Sequence, residues 1–464
     1  MSKSILSKRM FIIGLLAFLI GLVGCSSDNN DNNDKNNNNN NNDTNNETAD
    51  GDWEGQSITV QMIGEYKMES TTDPITGEKV AGVEVLKEEF EDRYPGATVD
   101  FILMPWEGFT EKTQAMITSN EADVYQMPGL PDMAAQGVLE PLQPLIDEDE
   151  DFDLDIFIEN QVDGWKVLGP DSEDLEIYGL PFLGDARFNM YDKQIFDDWG
   201  VEYLSEYPTM EEILDKAEQM TGTNPVTGEQ NFGVWFRGDW DSYQHVVNAA
   251  EGQNGQWGTG FDWNEMEFSF NSPEMLNGLE WLLELQEFAP KGLTSNQGSE
   301  KWLTEDNNIA IMLNQGPGEI KSIYAQGLDD RIAIAQQFKN DEGQGGLFAG
   351  SPIAIAKDSE NKELAWEWLK FATGEFTQKY LFEEVGDIPA IKASADWDSM
   401  EERELMLDVF EAMKSPWTPR YPWSPSQPGT ILSTEVEAAL TGKRTPEEAL
   451  DKAQKETEEW LENR

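Results

Sequence analysis

The early folded part of the chain alternates between short strands and amphipathic helices, and this order constrains the fold more than any other feature. Residues 57–63 (SITVQMI) alternate polar and apolar side chains, and 98–103 and 122–127 are the next candidate strands. Between them, residues 83–94 and 107–120 carry apolar residues at helical spacing. Strand, helix, strand, helix, strand predicts an α/β fold with a mostly parallel sheet.

The chain begins with a segment that has the layout of a secretory signal. In residues 1–24, basic residues precede an apolar run that is too short to span a membrane. The run ends just before Cys25, the single cysteine, so an intrachain disulfide or a thiol-based metal site cannot form. Residues 25–52 are rich in asparagine and aspartate without an apolar pattern, which predicts a disordered tether.

Length and charge limit the remaining possibilities. Of the 464 residues, roughly 400 are left for folded structure, which exceeds one ordinary core and predicts two lobes. The formal net charge of −58 disfavours binding to nucleic acid. His245 is the only histidine, so multi-histidine metal sites are excluded within one chain, and a Ser-His-Asp triad would need this residue. We predict neither a metal nor a cofactor.

Four stretches, in order, resemble the bacterial extracellular solute-binding proteins that include the maltose-type sugar binders. They are residues 179–200, 350–374, 386–390 and 446–451. The first stretch shows the family's Gly-x-Pro, Tyr-x-Lys and Phe-x-x-x-Gly pattern, although Asp192 stands where asparagine is usual. The matching positions in that stretch are Gly179, Pro181, Tyr191, Lys193, Phe196 and Gly200.

The resemblance implies a two-lobed, periplasmic-binding-protein-like α/β fold of type II, with a ligand cleft between the lobes. It places an N-terminal lobe at 53–186 and 347–395 and a C-terminal lobe at 187–346 and 396–464. The chain is then expected to cross between the lobes near 185–188, 345–350 and 393–397. Ligand binding would close the lobes by hinge motion.

The residues before Cys25 resemble the lipobox of bacterial lipoproteins, since a small residue directly precedes the cysteine. This implies that the signal is removed and that Cys25 is acylated, which anchors the protein on the outer face of the cell membrane. In this family the bound ligand passes to the permease subunits of an ABC importer. We therefore predict a monomeric binding lipoprotein for a mono- or oligosaccharide.

Sugar recognition requires aromatic rings to stack on the apolar face of a pyranose, and polar groups to pair with its hydroxyls. By position, the cleft-facing loops of the resembled fold supply these residues. The predicted contacts are Glu65, Tyr66, Lys67, Tyr125, Gln126, Asp185, Arg187, Trp235, Arg237, Asp239, Trp240, Gly316, Trp417, Arg420, Tyr421 and Trp423.

One segment departs from the maltose-type pattern. Family members of that type show Asn-Gly-Pro-Trp, whose tryptophan stacks on sugar. Here the segment is Asn314-Gln315-Gly316-Pro317-Gly318, with an extra glutamine and a glycine in place of the ring. We expect the glycines to permit backbone contact with the ligand instead.

Other functions are also compatible with these residues. A polyamine is the main alternative ligand, because aromatic rings could enclose its methylenes and carboxylates could pair with its amines. A ligand sensor would use the same lobe closure as a transport protein. A glycoside hydrolase that uses two carboxylates is disfavoured, because no loop motif points to one among ninety acidic residues. We therefore predict that the chain is not an enzyme.

Overall fold

The computed structural model describes residues 53–463, apart from 73–76, 78, 159–160, 171–173, 185, 260–265, 342, 344–350, 402 and 414–426. Within this part, the chain forms two five-stranded sheets covered by helices. Their strands are β1 (Ser57–Ile63), β2 (Thr98–Met104), β3 (Val124–Gln126), β4 (Leu180–Leu183), β5 (Phe188–Asp192), β6 (Gly222–Thr223), β7 (Gln230–Trp235), β8 (Ile309–Gln315), β9 (Ile332–Ala335) and β10 (Ser351–Ile355).

The first sheet has the strand order β2-β1-β3-β10-β4. Strand β1 pairs in parallel with β2 and β3, whereas β10 is antiparallel to both β3 and β4. The prediction of a mostly parallel sheet therefore holds only for the first three strands. Parallel neighbours need a crossover connection, which α helices supply here, but β10 returns to the sheet from the opposite direction after the second sheet is complete.

The second sheet has the strand order β6-β7-β8-β5-β9. Strands β7 and β8 are parallel, and β5 is antiparallel to both β8 and β9. All five residues of β5 are buried, as expected for a strand with neighbours on both sides and helices over the sheet. Each sheet thus forms the centre of its own α/β layer.

Helices surround both sheets. They are α1 (Glu84–Arg93), α2 (Phe109–Ser119), α3 (Leu130–Ala135), α4 (Gln143–Glu148), α5 (Lys193–Trp199), α6 (Met210–Gln219), α7 (Tyr243–Glu251), α8 (Pro273–Leu285), α9 (Gly318–Ala325), α10 (Lys362–Thr373), α11 (Glu375–Tyr380), α12 (Asp398–Glu401), α13 (Glu404–Met413), α14 (Gln427–Leu440) and α15 (Pro446–Asn463). None of the helices described is long and apolar enough to cross a membrane.

Shorter elements connect these helices and strands. Two-residue strands pair as Thr71–Thr72 with Lys79–Val80, Lys166–Val167 with Glu176–Ile177, and Gly258–Thr259 with Glu267–Phe268. Short 3-10 helices lie at Leu154–Ile156, Asp163–Trp165, Gln286–Phe288, Leu293–Ser295 and Lys392–Asp396. A π-helical segment lies at Leu381–Val385.

The early strands and helices confirm the predictions to within about two residues. The predicted apolar face of α10 is also confirmed, since Leu364, Trp368 and Leu369 are buried. The Trp368 ring meets Phe90 of α1 edge-on at 5.0 Å between ring centres. The two amphipathic faces therefore close the same core against the first sheet.

The last helix begins with the reciprocal pair of hydrogen bonds that defines a capping box. The Thr445 hydroxyl accepts from the Glu448 amide at 3.2 Å, and the Glu448 carboxylate accepts from the Thr445 amide at 3.2 Å. Pro446 occupies the first helical position, where it has no amide hydrogen to leave unpaired. This confirms the helix start that the sequence predicts.

Replacing Thr445 with alanine is expected to lower the free energy of unfolding by about 1 kcal/mol, because the Glu448 amide loses its acceptor. Urea-induced unfolding measures the change. Thr434→Ala in the middle of α14 is the matched control, since that hydroxyl only bonds back to the Thr430 carbonyl. Equal losses in both variants would contradict the capping role.

Candidate ligand-binding site

The chain passes from the first sheet to the second between β4 and β5. Strands β1, β2, β3 and β4 run in the same direction and end at one edge of the first sheet. Residues 184–187 then lead directly into β5. Strands β7, β8 and β9 end at the edge where β5 begins. The loops after β1 to β3 and after β7 to β9 therefore lie at one junction, where α/β proteins place small ligands.

The loop after β1 presents two exposed charged residues beside a buried tyrosine. Glu65 and Lys67 are exposed, whereas Tyr66 is buried and its hydroxyl donates to Asp387 at 2.9 Å. Burial raises the pKa of the Asp387 carboxyl to about 6, and the Tyr66 hydrogen bond and the charge of Lys321 oppose that rise. Two of the three predicted contacts in this loop, Glu65 and Lys67, are therefore exposed to solvent, whereas Tyr66 is not.

Tyr125 and Gln126 lie inside the first sheet. The Gln126 side chain accepts from the Ile63 amide at 2.8 Å and donates to the Ser351 hydroxyl at 2.8 Å. The Tyr125 hydroxyl accepts from the Ala122 amide at 3.0 Å. The Gln126 bonds join β3 to β1 and β10, whereas the Tyr125 bond stays within its own segment, and both side chains are buried.

The two candidate tryptophans, one at the end of β7 and one in the loop after it, have different environments. Trp235 is 4% exposed, and its indole N–H donates to the Gln297 carbonyl at 3.0 Å. Trp240 is 57% exposed, and the Arg237 guanidinium lies 5.7 Å from its ring centre. Only the Trp240 ring is therefore available for stacking at the surface of this loop.

Arg187 lies against the backbone of Gly316. A Cβ atom on Gly316 would lie 2.2 Å from Nη1 of Arg187, a distance that forces one group to move. A Cβ on Gly318 would meet no atom within 4 Å. Gly316 thus permits the close approach of the guanidinium, while the position after Pro317 faces open space.

A carboxylate outside the predicted contacts, that of Asp241, lies near both Arg187 and Arg237. Asp241 is partly exposed and accepts a hydrogen bond from the Gln244 side-chain amide. Burial raises its pKa to about 6, although Arg187 and Arg237 favour the ionised form and Asp239 opposes it. One Asp239 oxygen is itself buried without a hydrogen-bond partner. The spacing Asp-Trp-Asp in a loop is the signal that could have identified Asp241.

Glu319 of α9 is a second carboxylate absent from the prediction. Burial raises its pKa, and the positive charge of Arg237 opposes the rise. Nothing local in the sequence marks this residue, because only the packing of α9 beside the loop after β7 brings it near Arg237.

His245 of α7 is hydrogen-bonded to the backbone of the loop after β7. Its Nε2 donates to the Arg237 carbonyl at 3.1 Å, since a carbonyl oxygen can only accept. Burial lowers the pKa of the imidazole to about 4, so the ring is neutral at pH 7. This bond goes to a backbone carbonyl, and the arrangement is not that of a hydrolytic triad.

Trp106 adds an exposed ring on the first-sheet side of the junction. It follows β2, is 41% exposed, and meets Phe109 edge-on at 5.5 Å between ring centres. The sequence analysis did not include it, although an aromatic residue in a loop without helical spacing was the available signal.

Several predicted site residues fall outside the described residues. They are Cys25, Asp185, Trp417, Arg420, Tyr421 and Trp423. Over the part of the chain that is described, no group of three or more His, Cys, Asp or Glu side chains could hold a metal ion.

Comparison with known families identifies the chain. The family of bacterial extracellular solute-binding proteins matches residues 75–379, about two-thirds of the sequence. The chain belongs to this family. Membership confirms the predicted family and the prediction that this solute-binding protein is not an enzyme, and the matched region includes the stretches 179–200 and 350–374.

Individual relatives are distant in sequence. The galactooligosaccharide-binding protein of Bacillus subtilis is 24% identical over 295 residues, which are 60% of this chain and 65% of that protein. A Listeria monocytogenes ABC substrate-binding protein in complex with cycloalternan has a TM-score of 0.69 at 20% identity, covering 88% of this chain and 99% of that one. A Thermotoga lettingae solute-binding protein bound to α-D-tagatose has a TM-score of 0.67 at 21% identity, covering 88% and 100%. The two structures confirm the two-lobed α/β fold.

Proposed function

We propose that this solute-binding protein captures a carbohydrate, either a mono- or an oligosaccharide, and delivers it to the membrane permease of an ABC importer. The observation that supports this most directly is the loop after β7. It presents the exposed ring of Trp240 together with the guanidinium of Arg237 and the carboxylates of Asp239 and Asp241. A pyranose offers an apolar face to such a ring and hydroxyls to such donors and acceptors.

The relatives support the same class of ligand. One of them is a galactooligosaccharide-binding protein, and two structures of the same fold contain cycloalternan and tagatose. All three ligands are carbohydrates, and the residues at this junction match what carbohydrates need.

We propose that the predicted contacts act in two ways. Glu65, Lys67, Arg187, Arg237, Asp239, Trp240 and Gly316 lie at the junction and would meet the ligand directly. Tyr66, Tyr125, Gln126 and Trp235 are buried and would hold those loops in position. The remaining proposed contacts are Asp185, Trp417, Arg420, Tyr421 and Trp423.

A polyamine is the second candidate ligand, because three carboxylates gather near the loop after β7. They belong to Asp239, Asp241 and Glu319. The guanidinia of Arg187 and Arg237 lie among them and would repel a cationic ligand at short range. A carbohydrate needs both kinds of group, so we favour it.

We further propose the membrane attachment that the first residues indicate. Residues 1–24 would be removed as a signal, Cys25 would be acylated, and 25–52 would tether a monomer to the outer face of the membrane. We also propose the lobes as 53–186 with 347–395 and 187–346 with 396–464. Transport is favoured over sensing because the relatives with bound sugars include a substrate-binding protein of an ABC system.

A ligand screen tests the proposed function. The purified protein without its first 25 residues is heated with mono- and oligosaccharides, polyamines or amino acids, and the melting temperature is recorded. A ligand that binds only the folded state raises this temperature by mass action. We expect a rise with one saccharide class, and a rise with polyamines alone would contradict the proposal. At the same ligand concentration, Trp240→Ala should show a smaller rise than the unmodified protein.

A further inference from the structure

A lysine of α9 joins the layer of the second sheet to the layer of the first. Helix α9 connects β8 to β9 of the second sheet. Helix α11 belongs to the first layer, because it packs on α10 and its Gln378 side chain donates to the Phe182 carbonyl of β4 at 2.8 Å. The Nζ atom of Lys321 donates to the Glu384 carbonyl at 2.7 Å, in the helical segment that continues α11. This hydrogen bond therefore crosses from one layer to the other.

The Glu384 carbonyl lies in the last turn of a helix, where an ammonium group is a suitable partner. The π-helical segment Leu381–Val385 follows α11 without a break and ends at Gly386. The last carbonyls of a helix have no partner within it and carry a partial negative charge. A lysine from another helix can both donate to such a carbonyl and offset that charge.

Gly386 allows the lysine side chain to lie against this helix end. Its φ of +93° is in the left-handed region, which glycine adopts at no steric cost. A Cβ atom on Gly386 would lie 2.9 Å from Cδ and 3.2 Å from Cβ of Lys321. The aliphatic part of Lys321 thus packs on the Gly386 backbone, and its charged end reaches the Glu384 carbonyl.

The same helix end is fastened to loops of the first layer. The Glu384 carboxylate accepts from the Ala81 amide at 2.7 Å, before α1. The Tyr66 hydroxyl, in the loop after β1, donates to Asp387 at 2.9 Å. Lys321 is close enough to Asp387 for its charge to oppose the rise that burial causes in the pKa of that carboxyl. Residues 384–387 therefore connect α9 to the loop after β1.

Proposed ligand contacts adjoin both ends of this connection. In the loop after β1, Tyr66 lies between the exposed residues Glu65 and Lys67. Helix α9 begins two residues after Gly316. A ligand that contacts both loops needs them at one separation, and a bond that fixes this separation in advance reduces the entropy lost on binding.

We propose that Lys321 is a positioning residue whose bond to the Glu384 carbonyl holds the ligand loops of the two layers at one separation. It raises ligand affinity by acting through these loops. The effect on affinity rests on the proposed function, whereas the effect on the separation does not. Without the bond, the layers take a wider range of arrangements, and only some of these place both loops against the ligand. The apparent affinity then falls by the fraction that remains competent.

A distance measurement between two spin labels tests the separation. Cys25 is the only cysteine, so the protein without its first 25 residues can be labelled at two introduced cysteines. Exposed Glu88 of α1 and Glu218 of α6 place one label on each layer. Double electron–electron resonance of the protein without ligand gives the distribution of label distances. Lys321→Met keeps the aliphatic chain and removes the donor, so we expect a distribution about twofold wider than with Lys321 in place.

Calorimetric titration with the saccharide from the screen tests the effect on affinity. Lys321→Met is expected to bind about tenfold more weakly. Lys321→Arg keeps a charged donor and should recover part of that loss. Lys455→Met is the matched control, because it removes a lysine from an exposed pair with Glu459 in α15, and its affinity should equal that of the unmodified protein.

The outcomes separate this inference from the proposed function. If the unmodified protein binds no saccharide, the proposed function fails, and the label distances still decide whether Lys321 fixes the separation. An unchanged distance distribution in Lys321→Met overturns the inference, whatever the ligand. A wider distribution with unchanged saccharide affinity overturns the positioning role. A lower melting temperature with an unchanged distribution would indicate a purely structural role and would also contradict the inference.

Discussion

An Arg331→Leu variant is expected to lose about 4 kcal/mol of unfolding free energy, one of the two largest effects that the structure predicts. Asp192 is fully buried at the end of β5, and both of its oxygens accept from the Arg331 guanidinium at 2.6–2.9 Å. Without the guanidinium, the buried Asp192 carboxylate would keep hydrogen bonds from neutral donors only. The Asn307 side-chain amide, at 2.7 Å, is one of them. Urea-induced unfolding at pH 7 measures the loss.

A second variant shows whether the buried charge is the cause. Asp192 also caps α5 by accepting from the Gln194 amide at 3.0 Å, and asparagine can perform the same capping. Adding Asp192→Asn to Arg331→Leu should therefore restore at least half of the lost stability. Lys455→Leu, which breaks an exposed pair with Glu459, should cost no more than about 0.5 kcal/mol. A loss for Arg331→Leu as small as that of Lys455→Leu would contradict the prediction.

Replacing Trp240 with alanine is expected to weaken saccharide binding about 30-fold, which corresponds to about 2 kcal/mol of binding free energy. The ring is 57% exposed, so its removal exposes little apolar core and should leave the melting temperature nearly unchanged. Calorimetric titration with the saccharide from the screen gives the affinity, and a thermal melt of the same sample gives the stability.

Tyr203→Ala is the matched control for Trp240→Ala. Tyr203 is 43% exposed and follows α5, at the end of β5 that is remote from the junction, where its hydroxyl donates to Asp197 at 3.0 Å. Its removal should not change the affinity. If Trp240→Ala binds the saccharide as tightly as Tyr203→Ala does, Trp240 is not a stacking residue.

Local patterns were sufficient to predict many of the helices and strands. The capping box at Thr445 and Glu448 forms as predicted, because its bonds join residues three apart in the sequence. The apolar spacing of α10 predicts which face is buried. The antiparallel pairing of β10 was not predictable in this way, because strand direction depends on the path of the chain between distant segments.

The candidate site shows the same difference between features that local sequence predicts and features that depend on distant segments. The family resemblance implied that the segment with Trp235, Arg237, Asp239 and Trp240 faces the ligand cleft. It did not distinguish the exposed ring of Trp240 from the buried ring of Trp235, which differ by contacts such as that with Gln297. Exposure of a side chain depends on segments that are far away in the sequence.

The sequence was sufficient to recognise the family, to predict the early strands and helices and the last helix, and to find loops that carry polar and aromatic residues. The tertiary structure is needed to bring Arg187 against Gly316 and Asp241 near Arg187 and Arg237. It also decided that Lys321 donates to the Glu384 carbonyl at 2.7 Å, across 63 residues of sequence. The physical reason is that helix and strand signals arise from neighbours a few residues apart, whereas burial, charge pairing and close approach arise from the packing of distant segments.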